Sequence, residues 1–258
     1  MSFKTLRVTI LLAILGIALY SAAFDRTRIA AWDAPLRVVI YPYNATPGSS
    51  TAFIAGLKAS HFKEIERYFA GQAKRYNLPL ETPFYLELAS EIDTPPPAVP
   101  AGGNVLARLA WVARLRWWRW RFDDQGRAPQ ITVIAAFHSG GTNVLGHSTG
   151  LERVRVALVN LFADPRMIRD NQVILAHEIL HTVGARDKYD PATNLPRYPE
   201  GYAVPAQQPL YPQQRAEIMG GRIPQSAQRA RQPANLAQTL IGESTAAEIG
   251  WLKPTAVP

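Results

Sequence analysis

The chain has no cysteine among its 258 residues. Disulfides and thiolate metal sites are therefore excluded, and any bound metal must be held by His, Asp or Glu. Methionine is scarce, with three residues in all: Met1, Met167 and Met219. Charged residues make up 19% against 47% hydrophobic, which is a globular and not a disordered composition. Acidic side chains are the minority sign, and the net charge is +8. Such an excess suits an anionic membrane surface or acidic substrates. No pattern of a nucleic-acid-binding module is present, so no nucleic acid partner is expected. There are no internal repeats.

The N-terminus carries an uncharged apolar run behind two basic residues. Lys4 and Arg7 precede the run from Val8 to Phe24, the order of an export signal. The run is slightly short of the roughly 20 residues of a spanning helix, and Ser21-Ala22-Ala23 offers small residues for cleavage. Residues 1–24 are thus a cleaved signal peptide or a retained N-terminal membrane anchor, with membrane association through residues 8–24 in the second case; a buried core helix is the plainer alternative. Either export reading makes the remainder extracytoplasmic, because the positive flank stays inside. Residues 25–35 read as a polar linker and 36–258 as one domain.

Leu36 to Tyr43 and Phe84 to Leu88 read as strands, with a helix from Ser60 to Tyr76 between them that turns Phe62, Ile65, Phe69 and Ala73 to one face. Thr94 to Pro97 must be a loop. Asn104 to about Phe122 is a second helix, capped by Asn104, with Leu106, Leu109, Ala113, Trp117 and Trp120 as its apolar recurrence. Ile131 to Phe137 is a buried-type strand, and Val154 to Phe162 is a further strand whose length also permits a helix. Asp170 is placed to cap a helix ending at Gly184. A proline-punctuated stretch follows, with prolines at 191, 196, 199, 205, 209 and 212, and Glu243 to Trp251 reads as a last short helix. Strands alternating with helices predict a mixed sheet with crossover helices, an α+β arrangement.

Within the helix before Gly184 the chain reads His177-Glu178-Ile179-Leu180-His181. Histidines four apart share one helix face, so both imidazoles can reach one tetrahedral Zn2+ at about 2.0–2.1 Å. Glu178 stands beside the pair as a catalytic base, able to take a proton from water and return it to a leaving amine. Catalytic zinc has three protein ligands and an open position. Gly184 can take positive φ and turn the chain back, which brings Asp187 round as a third ligand. Asp190 is the alternative ligand.

His177 to Asp187 (HEILHTVGARD) resembles the extended zinc motif of the metzincin metallopeptidases, His-Glu-x-x-His-x-x-Gly-x-x-His/Asp, and Asp in the last slot is similar to the snapalysin group. Glu217-Ile218-Met219-Gly220-Gly221 resembles the methionine turn that lies beneath the metal in that clan. The resemblance covers residues 177–187 and 217–221. It implies a twisted mixed sheet above an active-site helix, a small C-terminal subdomain holding Met219, a Zn2+ cofactor, and hydrolysis of a peptide or protein substrate. Some metzincins carry a tyrosine two residues after the turn methionine; here Gly221 stands there, which leaves Tyr189 as a candidate for stabilising the oxyanion.

His138 and His147 read more simply as surface or core residues than as ligands, and His61 has no assigned role. Arg114 to Arg121 (RLRWWRWR) reads as a crossover helix that buries some tryptophan, with a membrane-interface face as the sharper alternative. A non-catalytic exported domain stabilised by zinc is the competing function, against which Glu178 argues; a cell-wall amidase is a third, with usually different ligand spacing.

Overall fold

The computed structural model describes residues 7, 9 and 32–252, apart from 49, 99, 101–104, 121–129, 140–147 and 153–154. The expected export segment, most of the linker, Asn104 and His147 lie outside the described residues. Among the described residues, no helix is long and apolar enough to cross a membrane.

The elements of the main layer are β1 (Leu36–Asn44), α1 (Thr51–Ala55), α2 (Lys63–Arg75), β2 (Phe84–Leu88), α3 (Val105–Trp120), β3 (Ile131–His138), β4 (Thr149–Leu151), β5 (Val156–Phe162) and α4 (Ile168–Thr182). The last helix is α5 (Glu243–Glu248). The strands form one five-stranded sheet in the order β2-β1-β3-β5-β4. Pairings among β2, β1, β3 and β5 are parallel, and β4 lies antiparallel along the edge of β5. The chain is therefore mixed α/β with a mostly parallel sheet.

Parallel strands covered on both faces need apolar residues at successive positions, and β1 and β3 supply them. Val38, Ile40, Val133, Ala135 and Phe137 belong to one core with Ile65 and Phe69 of α2 and Leu175 and Ile179 of α4. Ile134 and Val156 point the other way, against Trp111, Leu115 and Trp118 of α3. Of the face of α3 expected to be buried, Leu109, Ala113 and Trp117 are exposed, and the side chains of Leu106 and Trp120 lie outside the described residues. Trp111, Leu115 and Trp118 also recur at helical spacing, and that stripe is the one the sheet covers.

Two further expectations are corrected, for Trp32 and Asp170, and one acid, Glu66, is found buried. Trp32, assigned to the linker, is a core residue: it packs edge-on to Phe84 and Trp251 and donates its indole N–H to the Ile249 carbonyl at 2.7 Å. Glu66 of α2 is buried, because its carboxylate accepts the Leu86 N–H at 2.7 Å along the outer edge of β2. Asp170 does not cap α4. A 3-10 turn over Pro165–Met167 precedes that helix, and Asp164 caps it by accepting the Arg166 N–H at 2.9 Å. Asp170 instead lies in the first turn of α4, where a carboxylate is favoured by the helix dipole.

A buried amide helps to order the proline-rich stretch. Gln213 accepts the Val204 N–H at 2.9 Å and donates to the carbonyls of Val204 and Leu210 at 3.0 and 2.9 Å. A buried amide with each polar atom satisfied fixes a loop that has no ladder of its own.

Candidate metal-binding site

Helix α4 carries His177 and His181 on one face, and Gly184 ends it. Gly184 has φ of 109°, a conformation that favours glycine. The Ala185 N–H then closes onto the Leu180 carbonyl at 3.1 Å, and the chain doubles back past the helix end. This reversal carries Asp187 to the two imidazoles, with its Oδ1 3.1 Å from each Nε2. The two Nε2 atoms are themselves 3.1 Å apart.

Proton accounting decides what these three atoms are. His177 Nδ1 faces the Ile218 carbonyl at 2.9 Å, and His181 Nδ1 faces the Ala185 carbonyl at 2.8 Å. A carbonyl only accepts, so each Nδ1 carries the hydrogen, and each neutral imidazole presents a bare lone pair at Nε2. Two such lone pairs and a carboxylate oxygen thus converge with no donor among them. Only a cation or an added proton makes that arrangement favourable. Ligands about 2.0–2.1 Å from a tetrahedral ion lie about 3.3 Å from one another, close to the observed triangle, so the donor set fits a divalent cation.

Glu178 sits beside the triangle, with a ligand atom of His177, Glu178 and His181 all within 4.8 Å of one another. Its carboxylate is buried and held by the backbone of Gly150 on β4. Burial raises its pKa, against the pull of the two histidines. Its Oε2 is buried with no hydrogen-bond partner among the described residues. Burial also pushes Asp187 up, but once the imidazole pair takes up a proton its hydrogen bonds and charge outweigh this and hold Asp187 well below the usual carboxylate range. Tyr189 stands next to the triangle, its ring centroid 6.5 Å from that of His177. Burial first and then the Asp187 charge push its hydroxyl up to about 12.

The returning segment is strapped down from below. Met219, fully buried, lies in a 3-10 turn (Ile218–Gly220), and its carbonyl accepts the Lys188 N–H at 2.9 Å. The preceding carbonyl, of Ile218, is the one that orients His177. Glu217 fixes the turn: its buried carboxylate accepts from the Gly220 N–H at 2.8 Å, the Gly242 N–H at 3.0 Å and the Thr245 hydroxyl at 2.7 Å. Lys188, 3% exposed, donates to Glu248 of α5 at 2.7 Å, and the same Glu248 oxygen accepts the Arg186 N–H at 3.0 Å. Glu217→Ala leaves three buried donors without an acceptor, and the expected loss is about 3–5 kcal/mol in urea unfolding; a loss below about 1 kcal/mol would show that the turn is held by other contacts.

The site residues lie together in a cleft of about 390 Å3, lined by Ser148, His177, Glu178, His181, Asp187, Tyr189, Pro191 and Arg197. Asp190, the alternative ligand, does not line it. The Asp190 carboxylate accepts the Ala192 N–H at 2.7 Å and its carbonyl accepts the Asn194 N–H at 2.7 Å, which ties it into its own turn. His138 is likewise elsewhere, bonded to Asn160 at 2.8 Å, and His61 accepts the Lys58 N–H at 3.1 Å through Nδ1. Gly150, Glu217, Glu248 and Arg197 were not singled out in the sequence. Glu217 was visible only as a neighbour of Met219, and Gly150 stands on a three-residue strand without a readable pattern.

Gly150 has a steric duty that can be tested. A Cβ there would fall 2.4 Å from His181 Cβ and 2.6 Å from the Glu178 carbonyl. Gly150→Ala must therefore push β4 off α4, and we expect a loss of about 1–3 kcal/mol in thermal unfolding. An unchanged Tm would mean that the edge strand moves freely.

Compared with known proteins, the chain matches no protein-family model and no curated relative.

Proposed function

We propose that the chain is a zinc-dependent endopeptidase of the metzincin type, in which His177, His181 and Asp187 hold the metal and Glu178 is the general base. One observation carries this reading: three lone-pair acceptors converge without a donor, beside a buried carboxylate oxygen that also lacks a partner. A structural metal site has no use for the second feature. The succession of sheet, motif helix, reversal at Gly184 and buried Met219 supports the clan assignment.

When bound, zinc polarises the scissile carbonyl and lowers the pKa of water to about 7. Glu178 takes the proton of the attacking water and passes it to the leaving amine. Its desolvated carboxylate is more basic than a solvated one, which favours the first transfer, and its protonated form is then a competent acid for the second. Tyr189, protonated at neutral pH, offers a hydroxyl to the oxygen on which negative charge grows. His177 and His181 are held in one tautomer by the Ile218 and Ala185 carbonyls, which is what ligation through Nε2 requires. The N-terminal run from Val8 to Phe24 supports an extracytoplasmic location for this chemistry.

The purified full chain is expected to carry about one zinc and to cut an unfolded protein, with loss on chelation and recovery on adding zinc. Asp187→Ala should lose the zinc and Asp190→Ala should keep it. Loss in Asp190→Ala alone reverses the ligand assignment. Bound zinc with no cleavage of any peptide leaves the competing reading, an exported zinc-stabilised binding domain.

A further inference from the structure

We infer that Arg197 forms a carboxylate-binding subsite in the cleft, so that the substrate is a peptide bearing a carboxylate near the bond that is cut. The inference rests on the peptidase reading. Apart from the proposed machinery, Tyr189 included, the cleft wall is lined by Ser148, Pro191 and Arg197. Arg197 is the only cation in that wall, and among the described residues no acidic group forms an ion pair with it. The acid nearest in sequence, Glu200, is exposed and forms no ion pair with it, while Asp187 is engaged with the two imidazoles and Asp190 with Ala192.

The backbone of Arg197 is tied directly to the segment that carries Asp187. Its N–H donates to the Lys188 carbonyl at 2.7 Å, its carbonyl accepts the Gly201 N–H at 2.6 Å, and Tyr189 bridges Pro196 beside it. Gly201 seals this junction, since a Cβ there would lie 2.3 Å from the Lys188 carbonyl and 2.8 Å from the Arg197 nitrogen. A guanidinium on a fixed backbone is a prepared fork for a carboxylate, which it binds through two parallel hydrogen bonds. The cleft otherwise holds Glu178 and Asp187, so an anionic substrate group is steered toward the Arg197 side of the wall. The shared chemistry has two sources, an Asp or Glu side chain and the free C-terminus of a peptide.

Peptides cut by the full chain separate them. One set replaces Glu by Gln at each position around the scissile bond, and a second compares C-terminal acid with C-terminal amide. The expected result is about a tenfold preference in kcat/KM for the carboxylate member of one set, which names the source. That preference should collapse in Arg197→Ala, return in part in Arg197→Lys, and invert in Arg197→Glu toward peptides with lysine at that position. Equal rates for every acid–amide pair, or a preference that survives Arg197→Ala, overturns the subsite. Fluorescence anisotropy of the same peptides on Glu178→Gln protein scores the subsite without turnover. Carboxylate-dependent binding there, with no cleavage by the wild type, keeps the subsite and removes the peptidase reading.

Discussion

Glu178→Gln is expected to abolish peptide cleavage, by about 10²–10⁴-fold or more in kcat, while the bound metal is retained. The amide keeps the size of the side chain and its contact with the Gly150 backbone but takes no proton at any relevant pH. The three atoms that meet at 3.1 Å belong to other residues, so metal content should not follow activity down. A second readout moves the opposite way. Burial disfavours the charged form of Glu178 and raises its pKa. For a carboxylate whose pKa is raised in the folded state, the folded protein is penalised above the unfolded pKa and relieved as pH falls through the folded one. At neutral pH, in chelated protein, the neutral amide therefore escapes a cost that the carboxylate bears, and Tm should rise, by about 2–4 °C for each kcal/mol recovered. Activity that falls together with Tm would mean that Glu178 holds the fold, and the role of base would have to pass to another residue.

How far this site was legible in the sequence depends on the range of the interactions that build it. The pair His177 and His181 needs only helical periodicity, and Gly184 only the conformational freedom of glycine, so both could be placed from the chain alone. Asp187 followed from the reversal, but its distinction from Asp190 depends on a turn closed by Leu195, Asn194 and Ala192, which no spacing rule reveals. Glu217 and Lys188 are charged residues buried through partners 25 to 60 positions away; a sequence reading places such residues on the surface by default. The same limit explains α3. Its two candidate apolar faces both recur at helical spacing, and only the sheet beneath decides that Trp111 and Trp118, and not Trp117, are covered. Trp32 shows it again: a lone aromatic in polar surroundings looks like linker until Phe84 and Trp251 are brought to it.

Removal of the metal should destabilise the protein and also make its stability fall with rising pH. Without a cation, the convergence of His177, His181 and Asp187 can be relieved only by a proton. Burial pulls the His177 pKa down, but the hydrogen bond it donates to Asp187 when protonated and the nearby Glu178 charge outweigh it, and the net result is a rise from 6.5 to about 9. A histidine whose folded pKa lies above its unfolded one contributes stability that is complete below about pH 6.5 and is lost as pH climbs toward 9. Chelated protein should thus lose on the order of 2 kcal/mol between those limits, a figure reduced from the full shift because the Asp187 side chain is 42% exposed. With metal bound, the ion replaces the proton, this window closes, and stability rises by about 4 kcal/mol when free metal exceeds Kd a thousandfold. Thermal unfolding with zinc and with chelator, from pH 6 to 9.5, reads both effects at once: the two curves should diverge as pH increases. Curves that coincide at pH 9 would show that the three atoms do not meet around a cation. Divergence in the wild type that disappears in Asp187→Ala would assign the effect to this triangle, since the same substitution removes both the metal ligand and the acceptor that holds the proton.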